Sequence, residues 1–515
     1  MPNSVDFTGR PFHFIGIGGI GMSALAYILT KRNLPVSGSD LRLTHITRRL
    51  QEAGAHIFWQ QEAANLSYFI QSPSLVESGE SGAYGVGLAL EPPIGTALGA
   101  GDAIPQVVCS TAIDPRNPEY QAALDLGCPI FHRSELLAAL IREYSSIAVA
   151  GTHGKTTTSS MIGHLLLNAG LDPTIVVGGE VSSWGGNARL GQGPHLVAEA
   201  DESDGTLAKL SAAIGVVTNI ELDHTDHYRD LDQVVATFQT FQRQCGLLVA
   251  SIDCEVGRTR LNPTVTYSLH PESGATYHVT DVQYGADGIS AIVWELGQPL
   301  GRLHLRVLGC HNLSNALAAV AVGRHLGIAF GDIADILSQF CGARRRFEHR
   351  GSYSGIQFFD DYAHHPSEIR ATLAAARTKA DQSLPSTLAD SRHSHDGRRV
   401  IAVFQPHRFS RTAALLNDFA DAFADADQVI MADIYSAGER NTFGVSGRQL
   451  ADSVAQAHPK VVYGHTFDDI QATLLHSLRP GDLVMFMGAG NLNQIIPQVM
   501  AYYAEAEVSS LQEAC

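Results

Sequence analysis

The stretch from Ile147 to Thr157 constrains the fold more than any other. Ile147-Ala-Val-Ala150 is a short apolar run, and Gly151-Thr-His-Gly-Lys-Thr-Thr157 follows it directly and opens a helical pattern. A buried strand that breaks at glycines and resumes as a helix aims backbone N–H groups at a helix N-terminus, where they bind phosphate oxygens. Lys155 is then placed for the β- and γ-phosphates of ATP, and the Thr156 hydroxyl for Mg²⁺. The run departs from the full G-x-x-x-x-G-K-[ST] pattern because position 149 is Val. Such a loop needs a parallel α/β sheet behind it.

The rest of the chain repeats that alternation. Residues 12–15 read as a strand, 16–21 as a glycine turn, 22–29 as a helix, 36–40 and 107–109 as strands, and 136–144 as a closing helix. After the phosphate loop, 196–200 and 214–218 fit the same parallel sheet, 276–308 reads as β-strands and 312–326 as a helix. Beyond Arg344-Arg-Arg346, a strand at 356–359 opens a third unit with a helix at 368–377 and strands at 400–404, 429–431 and 483–487. The expected fold is three consecutive α/β domains: a Rossmann-like one over 1–144, a P-loop ATPase-like one over 145–343 and a second Rossmann-like one over 344–515. Segments 71–104 and 381–399 break the rhythm and read as surface insertions.

Composition narrows the function. The net charge of -17, from 35 Lys and Arg against 52 Asp and Glu, lacks the basic surface that nucleic acid or an anionic membrane requires. Nothing in the sequence reads as a secretory signal or a membrane span, and the seven cysteines include no C-x-x-C pair, so a cytoplasmic protein with reduced thiols is expected.

Three further motifs carry chemistry. Gly16-x-Gly-x-x-Gly21, with Asp40 downstream, fits a diphosphate cradle; alone it serves NAD and a dehydrogenase as well as a UDP-sugar. Glu199-Ala-Asp-Glu-Ser-Asp204 sets four carboxylates at a strand end, where they suit Mg²⁺. Asn219-Ile-Glu-Leu-Asp-His224 has the density of a zinc site, but the adjacent phosphate loop favours Mg²⁺ and leaves His224 beside the ion or the substrate.

Taken in order, GTHGKTTT, EADESD, TNIELDH, HNLSNALAA (311–319), RRFE (345–348), DDYAHHP (360–366), FQPHRFSRT (404–412) and GAGN (488–491) resemble the Mur ligase family, and the opening HFIGIGGIGMS resembles its alanine-adding branch. The resemblance implies that ATP phosphorylates the lactyl carboxylate of UDP-N-acetylmuramate and that the amine of L-alanine attacks the acyl phosphate. It implies catalytic roles for Lys155, Glu199 and His224, with Thr156 and Glu199 on one Mg²⁺ and His224 on a second ion. ATP would be held by Gly151, Thr152, His153, Gly154, Lys155, Thr156 and Thr157, and by His311, Asn312, Asn315, Arg346 and Asp361 from later motifs. The sugar nucleotide would lie on Gly16, Gly18, Gly19, Gly21, Ser37, Asp40, Ser110 and Thr111, and the amino acid on Tyr362, His364, His407, Arg408 and Arg411. The chain departs from the family pattern at 71–104, and 234–246 contains no Lys for the carbamylated bridge of other members, in keeping with the alanine-adding branch. A recycling ligase that attaches a whole peptide is the alternative within the family; its usual Cys in the opening loop is replaced in this chain by Gly18 or Gly19. A cytoplasmic enzyme, monomeric or weakly dimeric, is expected.

Overall fold

The computed structural model describes residues 4–70, 104–225, 227–382 and 398–513. The expected insertion at 71–104 therefore lies outside the described residues except at Ile104, and the polar segment 381–399 does so over 383–397. The chain forms three α/β domains, each built on its own sheet, and groups into two compact units.

The first unit comprises Met1–Tyr144 together with Thr174–Gly178 and Asn187–Gln192. Its sheet is parallel throughout, in the order His56–Phe58, Val36–Ser39, Phe12–Ile15, Gln106–Cys109, Ile130–His132. Phe12–Ile15 is fully buried, as expected of a strand covered on both faces. The strand order reverses between Phe12–Ile15 and Gln106–Cys109, and the glycine turn into helix Ile20–Lys31 emerges at that reversal.

The second unit holds the other two domains. Eight strands of the middle domain run in the order Gln298–Leu305, Gly288–Glu295, Tyr277–Gly285, Val265–Ser268, Leu247–Ser251, Ile214–Val217, Ser145–Ala150, His195–Glu199. The first three pair antiparallel and the others parallel. Helices Lys155–Asn168 and Cys310–His325 pack into this core through Met161, Leu165, Leu313 and Leu317. Registration sets the site: Ala150 lies opposite Val217 and Val149 opposite Glu199, so the phosphate loop and the carboxylate at position 199 share one sheet edge.

The C-terminal sheet has the order Glu348–Tyr353, Ile356–Asp361, Leu483–Met487, Val400–Phe404, Gln428–Met431, Val461–Tyr463. Its first pair is antiparallel and the rest parallel. The apolar pattern opens this domain at 356, yet Glu348–Tyr353 precedes it: an edge strand of Glu, His, Arg, Gly, Ser and Tyr has no buried face and leaves no apolar alternation to read. Asp361, Met487 and Phe404 are in register at the C-terminal edge, where the amino-acid motifs follow. Among the described residues, no helix is long and apolar enough to cross a membrane.

Candidate active site

The phosphate loop is held by its neighbours before any ligand enters. Gly151 has φ 139°, and a Cβ there would come within 2.0 Å of Thr218 Oγ1. Gly154 has φ 81°, caps helix Lys155–Asn168, and a Cβ on it would meet Asn315 Oδ1 at 2.6 Å. A side chain at either position would strain the backbone and force a neighbour to shift. Thr218 Oγ1 donates to His153 O at 2.6 Å, Asn219 Oδ1 accepts from His153 N at 2.8 Å, and Thr152 Oγ1 accepts from Glu221 N at 2.8 Å.

Lys155 Nζ donates to Gly151 O at 2.5 Å, Thr152 O at 3.1 Å and Glu202 Oε1 at 2.8 Å. Burial alone would lower its pKa, but Glu202, Asp201 and Glu199 outweigh burial and raise it, so the ammonium stays charged. Thr156 Oγ1 lies 2.9 Å from Glu199 Oε2, an all-oxygen pair suited to a hard divalent cation. His224 Nε2 is 3.7 Å from both Glu202 Oε1 and Asp223 Oδ2, and Asp201, Glu202 and His224 offer ligand atoms within 4.8 Å of one another. The buried Glu202 Oε2 has no hydrogen-bond partner among the described residues. Thr157 is buried in the first turn of the helix.

The later motifs converge on this edge. Asn315 abuts Gly154; its Nδ2 donates to Asn312 Oδ1 at 3.2 Å, and Asn312 Nδ2 donates to Leu308 O at 2.6 Å. Burial, then the Arg346 guanidinium, pushes His311 down to about 4, so its imidazole is neutral. The Asp361 carboxylate accepts from Phe347 N at 2.7 Å, Ala363 N at 2.8 Å and Thr372 Oγ1 at 3.2 Å, and burial raises it to about 6. Arg346 lies 5.2 Å from the Tyr362 ring centroid, a cation–π distance.

A second group joins the middle and C-terminal domains within this unit. Arg411 is buried and grips Asp223 with two donors, Nε to Oδ1 at 2.9 Å and Nη2 to Oδ2 at 3.2 Å. Its Nη1 faces His407 Nδ1 at 3.1 Å. The His407 ring is 5.8 Å from His364, which is 5.4 Å from Tyr362, so four of the five expected amino-acid residues are contiguous. Burial dominates both histidines, lowering His364 to about 4 and His407 to about 2, so neither carries charge. Arg408 turns instead to Glu439, 3.3 Å away, from a backbone with φ 72°.

In the first unit, Gly16 has φ 79° and Gly19 caps helix Ile20–Lys31. Asp40 closes the glycine turn: Oδ2 accepts from Gly18 N at 2.9 Å and Oδ1 from Arg42 N at 3.0 Å. Gly21 approaches Arg133, whose Nη1 would lie 3.6 Å from a Cβ there. Ser110 and Thr111 follow strand Gln106–Cys109, with Thr111 exposed. Ser37 differs from the others. It is fully buried, its hydroxyl bonded to His13 Nδ1 at 2.8 Å, in a network where Glu119 also takes His13, Ser39 and Asn65.

Motif reasoning leaves Glu202, Glu221, Asp223 and Glu368 out of the site, although each lies inside or just beyond one of the motifs. Glu368 shares its carboxylate between His153 Nδ1, at 3.1 Å from Oε1, and His364 N, at 2.9 Å from Oε2. Its position four residues after His364, in the first helical turn, is the signal that could have found it.

The chain matches the Mur ligase family in three consecutive segments: the "Mur ligase family, catalytic domain" over residues 11–145, the "Mur ligase middle domain" over 149–323 and the "Mur ligase, glutamate ligase domain" over 345–490. It is 58% identical to the UDP-N-acetylmuramate--L-alanine ligase of Nostoc punctiforme, over 98% of this chain and 99% of that one. Identity to the protein of that name in Synechococcus elongatus is 56%, over 98% and 99%. Among solved structures, UDP-N-acetylmuramate-alanine ligase from Thermotoga maritima superposes with a TM-score of 0.73 at 26% identity, covering 98% of this chain and all of that one. A murein peptide ligase from Psychrobacter arcticus shares the fold, with a TM-score of 0.66 at 22% identity.

Proposed function

The chain belongs to the Mur ligase family, and on that premise we propose that it couples L-alanine to the lactyl carboxylate of UDP-N-acetylmuramate while ATP is cleaved to ADP and phosphate. It is a ligase of peptidoglycan precursor synthesis. The observation that carries this reading is 58% identity, over nearly the whole of both chains, to a relative bearing that activity in its name.

The reaction balances in two steps. A lactyl carboxylate oxygen takes the γ-phosphoryl group and ADP leaves; the amine nitrogen then adds to the acyl carbon, phosphate leaves with the C–O bond, and the nitrogen loses a proton to give the amide. Both partners of the first step are anionic, so its barrier falls where cations are fixed in advance. Lys155 supplies one such charge once it exchanges Glu202 for phosphate oxygens. Thr156 and Glu199 would hold Mg²⁺, with His224 at a second ion, and the metal would supply further charge neutralisation.

Arg411 is the residue best suited to the carboxylate of L-alanine, because it already holds a carboxylate by two donors. Neutral His364 and His407 beside it do not repel an incoming ammonium. The glycine turn of the first unit, closed by Asp40, is assigned to the UDP diphosphate. We place the domain borders at 144/145 and 343/344 and infer a cytoplasmic enzyme, monomeric or weakly dimeric.

The test is phosphate release from ATP and Mg²⁺, given UDP-N-acetylmuramate with L-alanine, glycine, L-serine or an L-alanine-headed tripeptide in turn. Release dependent on the sugar nucleotide and strongest with L-alanine is expected. Release with the tripeptide alone would assign the chain to the recycling branch, and none with any of them would refute the ligase reading.

A further inference from the structure

One cluster stands apart from the metal positions of that chemistry, although its His153 is also expected beside ATP. His153 comes from the phosphate loop, Glu221 from the loop after strand Ile214–Val217, and His365 from the turn before helix Pro366–Gln382. Their ligand atoms lie within 4.8 Å of one another. His153 Nε2 faces Glu221 Oε2 at 3.5 Å, His365 Nδ1 faces the same oxygen at 3.9 Å, and the two rings are 4.6 Å apart. We propose that His153, Glu221 and His365 form a binding site for a divalent transition-metal ion, separate from the Mg²⁺ positions assigned to Thr156, Glu199 and His224.

Three features favour an ion over a simple polar contact. First, His153 Nε2 is buried and makes no hydrogen bond among the described residues, its polar neighbour being Glu221 Oε2 at 3.5 Å, which is the second member of the cluster. Second, the outer partners of a metal-binding imidazole and carboxylate are already in place. Glu368 Oε1 is 3.1 Å from His153 Nδ1, the carboxylate–histidine pairing that orients a ligating ring, and Ser367 Oγ donates to Glu221 Oε2 at 2.7 Å.

Third, the His365 ring is 5% exposed yet weakly held. Its Nδ1 accepts Ser367 N at 3.3 Å and is the nitrogen that faces Glu221, while its Nε2 has no partner among the described residues. Two imidazoles and one carboxylate, with a fourth position for water, suit tetrahedral Zn²⁺ and the nitrogen-preferring ions near it; Mg²⁺ prefers six oxygens. Closing to zinc–ligand distances of about 2.0–2.2 Å requires only side-chain movement of about an ångström.

The competing account is an ion triad. Burial opposes charge on His153, but Glu221 and Glu368 raise it to about 9, so a proton can occupy the position that the metal would take. Metal binding must displace that proton. With the ion in place, the phosphate loop is tied to the first turn of helix Pro366–Gln382, so zinc would fix the middle and C-terminal domains in one arrangement.

The experiment uses the full chain, stripped with chelator and kept in saturating Mg²⁺, titrated with Co²⁺ and followed by visible absorption. An intense tetrahedral ligand-field band, saturating at one equivalent and removed by one equivalent of Zn²⁺, is expected. His365→Ala should weaken Co²⁺ binding by about tenfold or more, whereas Glu199→Gln should leave the band in place. Anomalous scattering at the zinc edge from wild-type crystals locates the ion without any variant. A peak among His153, Glu221 and His365 supports the site; no band, or a peak at His224, overturns it and leaves the ion triad. These readouts do not depend on turnover, so they stand apart from the test of the ligase activity.

Discussion

Lys155 is the cation that the phosphate loop holds in place, through Gly151 O, Thr152 O and Glu202 Oε1. Its place after the glycines is legible because backbone geometry admits few sequences there. Its present partner, Glu202, is one of four carboxylates between Glu199 and Asp204 and does not stand out among them, since only the folded loop decides which one comes within 2.8 Å. Removing the cation from the transferring phosphoryl group should cost about a hundredfold or more in turnover, so Lys155→Ala, checked for folding by circular dichroism, is expected to release phosphate at about 1% of the wild-type rate. Near-normal release would remove Lys155 from the reaction. Gly154→Ala should be costly for another reason. Its φ of 81° disfavours an alanine and the new Cβ would meet Asn315 Oδ1, so a loss of about 1–3 kcal/mol in urea unfolding is expected, with weaker nucleotide binding by calorimetry.

Between elements, the pair Asp223–Arg411 links the loop after strand Ile214–Val217 to helix Phe409–Ala414. Both side chains are buried, so breaking the pair leaves an uncompensated charge. Asp223→Asn is expected to destabilise the chain by about 3–5 kcal/mol. L-alanine should then raise the melting temperature of the variant more than that of the wild type, because its carboxylate restores a negative charge beside Arg411. An equal effect on both would show that Arg411 does not receive the amino acid. The elements themselves are mostly legible: strands Phe12–Ile15, Val400–Phe404 and Leu483–Met487 are buried apolar runs, and the structure has them where the pattern puts them. Glu348–Tyr353 and Val461–Tyr463 escape because edge strands, one polar and one of three residues, carry too little periodicity. The pairing of Asp223 with a residue 188 positions away has no local trace at all.

At the scale of the whole molecule, stability should depend on pH through the contacts of His153. Glu221 and Glu368, against the pull of burial, raise its pKa from 6.5 to about 9, and Glu221 in turn falls from 4.5 to about 2. A group raised on folding stabilises fully below its unfolded value and loses that contribution as pH climbs through the folded one; a depressed carboxylate does the reverse. The contribution is therefore complete between about pH 4.5 and 6.5, fading toward pH 9 on one side and toward pH 2 on the other. The melting-temperature difference between wild type and His153→Gln should be largest near pH 6 and shrink by pH 10; a difference that does not vary over that range would mean that His153 is not charged in the folded protein.

The first compact unit takes in Thr174–Gly178 and Asn187–Gln192 from beyond its own sheet. On the ribosome, its membership is thus incomplete when Tyr144 is made, and it stays so until residue 192 has emerged. At about 5–20 residues per second, that interval lasts some seconds. During it the phosphate loop is made and leaves the exit tunnel ahead of residue 192, so the sugar-nucleotide unit and the nucleotide loop mature as overlapping events in time, and a chain truncated at residue 144 would lack two of the pieces that the unit gathers.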